Sequence, residues 1–99
     1  MSENPLQVII DSDADFFQLL EDTRVTSFEE DGIPLKYKLL MAMALDASKG
    51  AVNGVTSLAI QAMEAGATKE EVMQAVKVTH YICGVGSVYT SAAALKDVL

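Results

Sequence analysis

The stretch from Gly66 to Glu71 ends one helix and begins the next, and it constrains the fold of this chain more than any other feature. Gly66 can adopt the left-handed conformation that closes a helix. Thr68, followed three residues later by Glu71, forms a capping box in which each side chain accepts a hydrogen bond from the other residue's backbone N–H. Because the connection is so short, we predict two neighbouring antiparallel helices.

Apolar residues recur with helical spacing on both sides of this turn. They predict one helix over residues 51–65 and another that ends near residue 83. The two stripes are Val52, Val55, Ala59, Ala62 and Met63 before the turn, and Val72, Val76, Thr79 and Cys83 after it. We expect both stripes to face a common core, with Cys83 as the last inward residue of the second.

Three further helices are predicted outside this pair. The first is capped by Ser12 or Asp13, the second spans residues 34–48, and the last runs from Ser87, as its cap, through Lys96. The second helix is apolar almost all round, so it is expected to lie at the centre of the molecule or to be shared with another subunit.

The remaining segments complete an all-α prediction. Residues 1–12 are predicted to be an irregular lead-in, because Pro5 stops an early helix. No segment alternates polar and apolar residues for long enough to be a strand. With 99 residues, the chain is the size of one domain. We therefore predict a single domain over residues 1–99 with about five helices.

The net charge and the distribution of apolar residues exclude several classes of function. The net charge is −7, and residues 1–31 hold nine acids against Arg24, so binding to nucleic acid or to an anionic membrane is not expected. The longest apolar run, residues 39–45, is too short to cross a membrane. Residues 1–10 are not a signal peptide, which predicts a cytoplasmic protein.

Neither a metal nor a cofactor is predicted. Cys83 is the lone cysteine, which excludes an internal disulfide and a multi-thiolate metal site within one chain. The two glycines of Gly84–Gly86 do not make a dinucleotide fingerprint, because no strand precedes them.

Three segments in fixed order resemble the carboxymuconolactone decarboxylase family, within the alkylhydroperoxidase-D-like superfamily. They are Pro34–Lys38 before the apolar helix, Ala65–Val72 around the capping box, and Cys83–Val85. The resemblance covers about residues 13–99. It implies an alkylhydroperoxidase-D-like helical bundle that assembles as trimers or hexamers.

The same resemblance locates the positions of the family's reactive groups. In the peroxidase branch, the two cysteines correspond to Ala51 and Gly54, the histidine to Leu58 and the glutamate to Leu39. A dithiol peroxidase needs an attacking thiolate, a resolving thiol and a proton relay, and these four residues supply none of them.

The decarboxylase branch is matched only in part. Its Cys-Gly-Val tripeptide corresponds to Cys83–Val85, its helix histidine again to Leu58, and its Asn-His pair to Tyr89 and Thr90. Decarboxylation needs donors or cations that stabilise the negative charge left by carbon dioxide. Both the helix histidine and the Asn-His pair are replaced in this chain.

The candidate catalytic residues are Cys83, His80 and Lys49. His80 lies one helical turn before Cys83 and could lower the pKa of its thiol; the alternative is a small buried cysteine beside a histidine that favours the helix C-terminus. Lys49 could hold an anionic substrate; the alternatives are a solvated loop lysine or an ion pair with Asp46.

Three hypotheses about function follow. The first is a family member that acts on a small molecule held between helices near the candidate residues. The second is a non-enzymatic homo-oligomeric scaffold or ligand-binding protein. The third is a peroxiredoxin-like activity through Cys83. A cavity that holds both His80 and Cys83 would favour the first hypothesis over the second.

Overall fold

A computed structural model describes residues 4–99 and confirms the all-α prediction, with six helices and no strand in that range. The helices are α1 (Gln7–Ser12), α2 (Ala14–Ser27), α3 (Leu35–Ser48), α4 (Val52–Glu64), α5 (Lys69–Cys83) and α6 (Gly86–Leu95). Across this part of the chain, no helix has the length and apolar character required to cross a membrane.

Helices α3 to α6 form the body of the molecule. Helix α3 packs on α4, α5 and α6, and α6 also packs on α4 and α5. The core contains aliphatic side chains and alanines, with Met43, Val55 and Val72 fully buried. Alanines on α3 and α4 allow the two helices to pack closely. Besides Met43, these two helices contribute six residues to the core: Leu39, Leu40, Ala47, Val55, Ala59 and Ala62.

Helices α1 and α2 form an arm on this body, which we define as residues 7–27. The two helices pack on each other, and neither contributes a buried residue. Phe28, at the end of α2, packs against the core and anchors the arm. The arm extends the molecule, because the radius of gyration is 14.4 Å, whereas about 13 Å is typical of a compact 100-residue domain.

The predicted irregular lead-in is wrong in its second half. Residues 7–12 are helix α1, which raises the number of helices from five to six. Pro5 does not prevent this helix, because it precedes the first turn, where the Asn4 side chain accepts a hydrogen bond from the backbone N–H of Leu6 at 2.9 Å. Residues 1–3 of the predicted lead-in lie outside the described residues.

The predicted cap of the last helix is also wrong. Ser87 lies inside α6, and its hydroxyl donates a hydrogen bond to the Gly84 carbonyl at 2.7 Å. Gly84 has a φ of 85°, which turns the chain sharply after α5 and changes the face that α6 presents to the core. Ser91 is therefore buried, whereas Ala92 is exposed.

The other predicted ends are confirmed. Asp13 caps α2 by accepting a hydrogen bond from the Phe16 N–H at 3.0 Å. Thr68 accepts from the Glu71 N–H at 3.1 Å, and the Glu71 carboxylate accepts from the Thr68 N–H at 2.9 Å. Gly66 has a φ of 107°, in the region that favours glycine. Both halves of the capping box are thus formed.

We predict that Thr68→Ala lowers the free energy of unfolding by about 1 kcal/mol, because the Glu71 N–H loses its acceptor at the start of α5. Urea unfolding at a fixed protein concentration measures the change, since dissociation of an oligomer would add a concentration term. Thr26→Ala in α2 is the matched control and should not reduce stability. Equal stability of Thr68→Ala and the unmodified chain would contradict the prediction.

Candidate functional site

A mainly apolar cavity of about 270 Å³ lies between α2, α3 and α4. It contains Leu39 and Leu58, the two positions where the resemblance places the glutamate and the histidine of the peroxidase branch. The six residues that line it are Arg24, Phe28, Leu35, Leu39, Leu58 and Gln61. The two positions that the resemblance assigns to proton-transfer groups therefore line one cavity, and neither carries an acid or a base.

A second cavity, of about 690 Å³, shares part of this wall. Leu35, Leu39 and Gln61 line both cavities, so we treat the two together as the Leu39 cleft. The second cavity is more polar, and the residues that it adds are Glu30, Pro34, Lys36, Glu64, Ala65 and Gly66. Together the two cavities fall within the volume range of small-molecule sites. Four of the six residues that line the first cavity are apolar, and the second adds the charged side chains of Glu30, Lys36 and Glu64.

Both cations that line the Leu39 cleft are paired with acids. Arg24 makes two hydrogen bonds to Glu21, at 2.8 and 3.2 Å, and this contact lowers the pKa of the Glu21 carboxyl. The ammonium of Lys36 lies 3.2 Å from both carboxylate oxygens of Glu71, which raises the pKa of Lys36. These pairs hold both cations at the rim of the cleft.

Glu71 connects the beginning of α3 to the beginning of α5. It accepts hydrogen bonds from the Thr68 backbone, from Lys36 and, at 3.4 Å, from the Tyr37 hydroxyl. The Thr68 N–H contributes most to lowering the pKa of the Glu71 carboxyl, and the Lys36 hydrogen bond comes next. The carboxylate is therefore held in its charged form, where it serves both the capping box and the ion pair.

Gly54, where the resemblance places the second cysteine, packs against the side chain of Asp46 from α3. The half-buried side chain of Asp46 lies against Gly54, near the start of α4. A Cβ atom at Gly54 would overlap the Asp46 carboxylate oxygen and lie 2.9 Å from its Cγ. The backbone N–H of Ala51, where the first cysteine would be, donates to the Asp46 carbonyl at 2.9 Å. These two positions are used for packing between α3 and α4.

The predicted catalytic residues lie away from the Leu39 cleft. His80 and Cys83 are exposed on the last turn of α5, and Lys49 is exposed in the α3–α4 connection. None of the three lines either cavity of the Leu39 cleft. The structure therefore does not bring them together in a pocket.

Two of the alternative interpretations are also wrong. Cys83 is exposed rather than buried, because α5 ends there and Gly84 turns the chain away from the core. The ion pairs within residues 4–99 are Arg24–Glu21 and Lys36–Glu71, so Lys49 does not pair with Asp46. Instead, the Asp46 side chain lies over Gly54. Among the described residues, no group of three or more His, Cys, Asp or Glu side chains could hold a metal ion.

Sequence reasoning missed the Leu39 cleft, although it singled out Leu39 and Leu58 as replaced positions. Their common apolar character was the available signal, since both positions that the resemblance assigns to proton-transfer groups are leucine. Arg24 and Phe28 could not be found in this way, because they reach the cleft from α2 and its C-cap through contacts between residues distant in sequence.

The comparisons with known proteins give one finding. The model of the carboxymuconolactone decarboxylase family matches residues 14–97, which include α2 to α6. No curated protein and no solved structure matches the chain.

We predict that Asp46 suppresses the stabilisation normally gained by replacing a helical glycine with alanine. Gly54→Ala should gain about 0.5–1 kcal/mol in an Asp46→Ala background, but little or nothing when Asp46 is present, because its carboxylate must turn away. Urea unfolding of the four variants measures the coupling. Gly86→Ala is the control, since a Cβ there meets no atom within 4 Å. The same gain from Gly54→Ala in both backgrounds would refute the coupling.

Proposed function

The chain belongs to the carboxymuconolactone decarboxylase family, and from this premise we propose that it is a homo-oligomeric binding protein that holds a small apolar molecule in the Leu39 cleft. The observation that supports this proposal is the position of Leu39 and Leu58 on the wall of one cavity. Two leucines at this point favour burial of an apolar group over proton transfer.

The chemistry of the cleft suggests the class of ligand. Phe28, Leu35, Leu39 and Leu58 offer an apolar surface, and Gln61 offers an amide that can donate or accept a hydrogen bond. Since Arg24 is already held by Glu21, a strongly anionic ligand would have to compete with that pair. We therefore propose a small, mainly apolar molecule with one neutral polar group.

The proposal includes a single domain, assembly into a trimer or hexamer, and a location in the cytoplasm. Exposed large apolar side chains occur on several helices, and Leu45 and Met41 of α3 are 64% and 47% exposed. Exposed apolar surface of this extent is typical of proteins that associate. A lone exposed cysteine is compatible with a reducing compartment.

We expect a larger side chain in the wall of the cavity to weaken the binding of a small molecule. With N-phenyl-1-naphthylamine as a neutral fluorescent probe of the apolar cavity, Leu58→Phe should weaken binding about tenfold, because the larger ring occupies the space. Leu35→Phe, on the opposite wall, gives a second test if the first variant folds poorly.

Leu45→Phe is the matched control for probe binding. Leu45 is exposed on α3 and lines neither cavity of the cleft, so the same substitution should leave the affinity unchanged. Circular dichroism verifies that each variant is folded. Unchanged affinity in folded Leu58→Phe and Leu35→Phe would overturn the proposed site.

Peroxidase activity through Cys83 is the second candidate function, and its exposure keeps the thiol accessible. The thiolate would attack an alkyl hydroperoxide, release the alcohol and become a sulfenic acid, which only an external thiol could reduce because the chain has one cysteine.

We predict negligible turnover of alkyl hydroperoxide with dithiothreitol as the reductant, and the same low rate for Cys83→Ser. The positions of the family's dithiol are Ala51 and Gly54, so neither the attacking nor the resolving thiol is present there. Peroxide consumption measures the rate. Rapid turnover that disappears in Cys83→Ser would instead identify Cys83 as the catalytic residue.

A further inference from the structure

We propose that the arm of one copy docks on an apolar patch of a second copy, and that repetition of this contact joins the copies head to tail in a closed ring. The patch is formed by Val78, Tyr81, Ile82, Val85 and Tyr89, where α5 turns into α6. This inference rests on the homo-oligomer of the proposed function and identifies the surfaces that form it.

The arm is a pair of helices without a core of its own. None of its residues is buried, and it contacts the core mainly through Phe28. Its exposed apolar side chains include Val8 at 66%, Leu19 at 59% and Val25 at 52%. Short helices are marginal in water without tertiary packing, so contact with a further surface would stabilise the arm.

The α5–α6 patch is the most exposed apolar surface of the body. Tyr81 is 85% exposed, Tyr89 75%, Ile82 74%, Val78 67% and Val85 59%. Within α5, Val78, Tyr81 and Ile82 have the spacing of one helix face, and Val85 and Tyr89 follow after the turn at Gly84. Exposed tyrosines beside aliphatic side chains are typical of the centre of a protein interface.

Charge selects the arm as the occupant of the patch. The arm, residues 7–27, holds five acids against Arg24 and so carries a net charge of −4, whereas residues 32–99 carry +1. Contact between two arms would bring two strongly acidic surfaces together. From Val78 to Leu95 the chain has no Asp or Glu, and Lys77 and Lys96 flank this segment. An arm docked on the patch therefore avoids the repulsion that an arm would meet on another arm.

The area is sufficient for a specific contact. Covering the two tyrosines and three aliphatic side chains of the patch removes on the order of 500 Å² from water, and the arm contributes a similar area. The total is close to the roughly 1,000 Å² that a specific interface requires. Because arm and patch are different surfaces, the contact is heterologous and repeats around a ring, as a trimer requires.

Cross-linking between two singly reactive chains tests the contact. The unmodified chain carries one thiol, Cys83, next to the patch, and the double variant Leu19→Cys/Cys83→Ser carries one thiol on the arm. The two chains, with tags of different mass, are co-expressed and treated with a short bis-maleimide. We expect the mixed cross-linked dimer to exceed either homodimer at least fivefold. Phe16→Cys/Cys83→Ser provides a second position on the arm.

Each alternative arrangement gives a different product. Predominant dimers of the unmodified chain would show that two patches face each other, and predominant dimers of the arm variant would show arm-to-arm contact; either result overturns the proposal. An intact oligomer without mixed dimers from either arm position also overturns it. Sedimentation of the unmodified chain tests assembly separately: a 10.6 kDa monomer at micromolar concentration refutes the homo-oligomer itself.

A matched pair of substitutions tests the energetic role of the arm. Leu19→Asn removes an exposed apolar side chain and should raise the dissociation constant of the oligomer at least tenfold, whereas its neighbour Gln18→Asn should not change it. Both substitutions replace a residue of α2 with asparagine, so their effects on helix propensity are similar. Equal dissociation constants for the two variants would contradict docking through the apolar side of the arm.

Discussion

The close packing of α3 on α4 is the contact on which the rest of the structure depends. Small residues meet along it, and at Gly54 the absence of a side chain leaves room for the carboxylate of Asp46. Because Ala59 and Ala62 are fully buried there, the two helices approach closely over most of their length. At Leu39 and Leu58 the contacting residues are larger, and the Leu39 cleft lies there between the two helices and the end of the arm.

The same scaffold can therefore carry a different function from the one its family implies. Catalysis at this site would need a proton relay near Leu58 and a thiol near the start of α4. The structure uses the first position for an apolar wall and the second for packing. The fold is maintained by the capping box and the alanine-rich core, which do not depend on the reactive groups. The fold therefore does not require reactive groups at these positions.

Local signals predicted the helices well, because caps and apolar spacing act within a few residues. The capping box at Thr68, the cap at Asp13 and the buried stripe through Val72 and Val76 are confirmed. The predictions were wrong around Gly84, where the chain changes direction between α5 and α6. Cys83 is exposed there, and Ser87 lies inside α6 instead of capping it. The Leu39 cleft could not be predicted, because its wall brings together residues as distant in sequence as Arg24 and Gln61. The absence of a Lys49–Asp46 pair also depends on tertiary packing.

The separation between body and arm has a consequence for the order of folding. Helices α3 to α6 follow one another through short turns and pack on one another, so most of the core forms between segments that are near in sequence. Topologies of this kind have low contact order and fold within microseconds to milliseconds. The arm adds no buried residue to this nucleus, and its ordering is expected to be the last, concentration-dependent phase. The acidic arm thus precedes the body in the chain but is expected to become ordered after it.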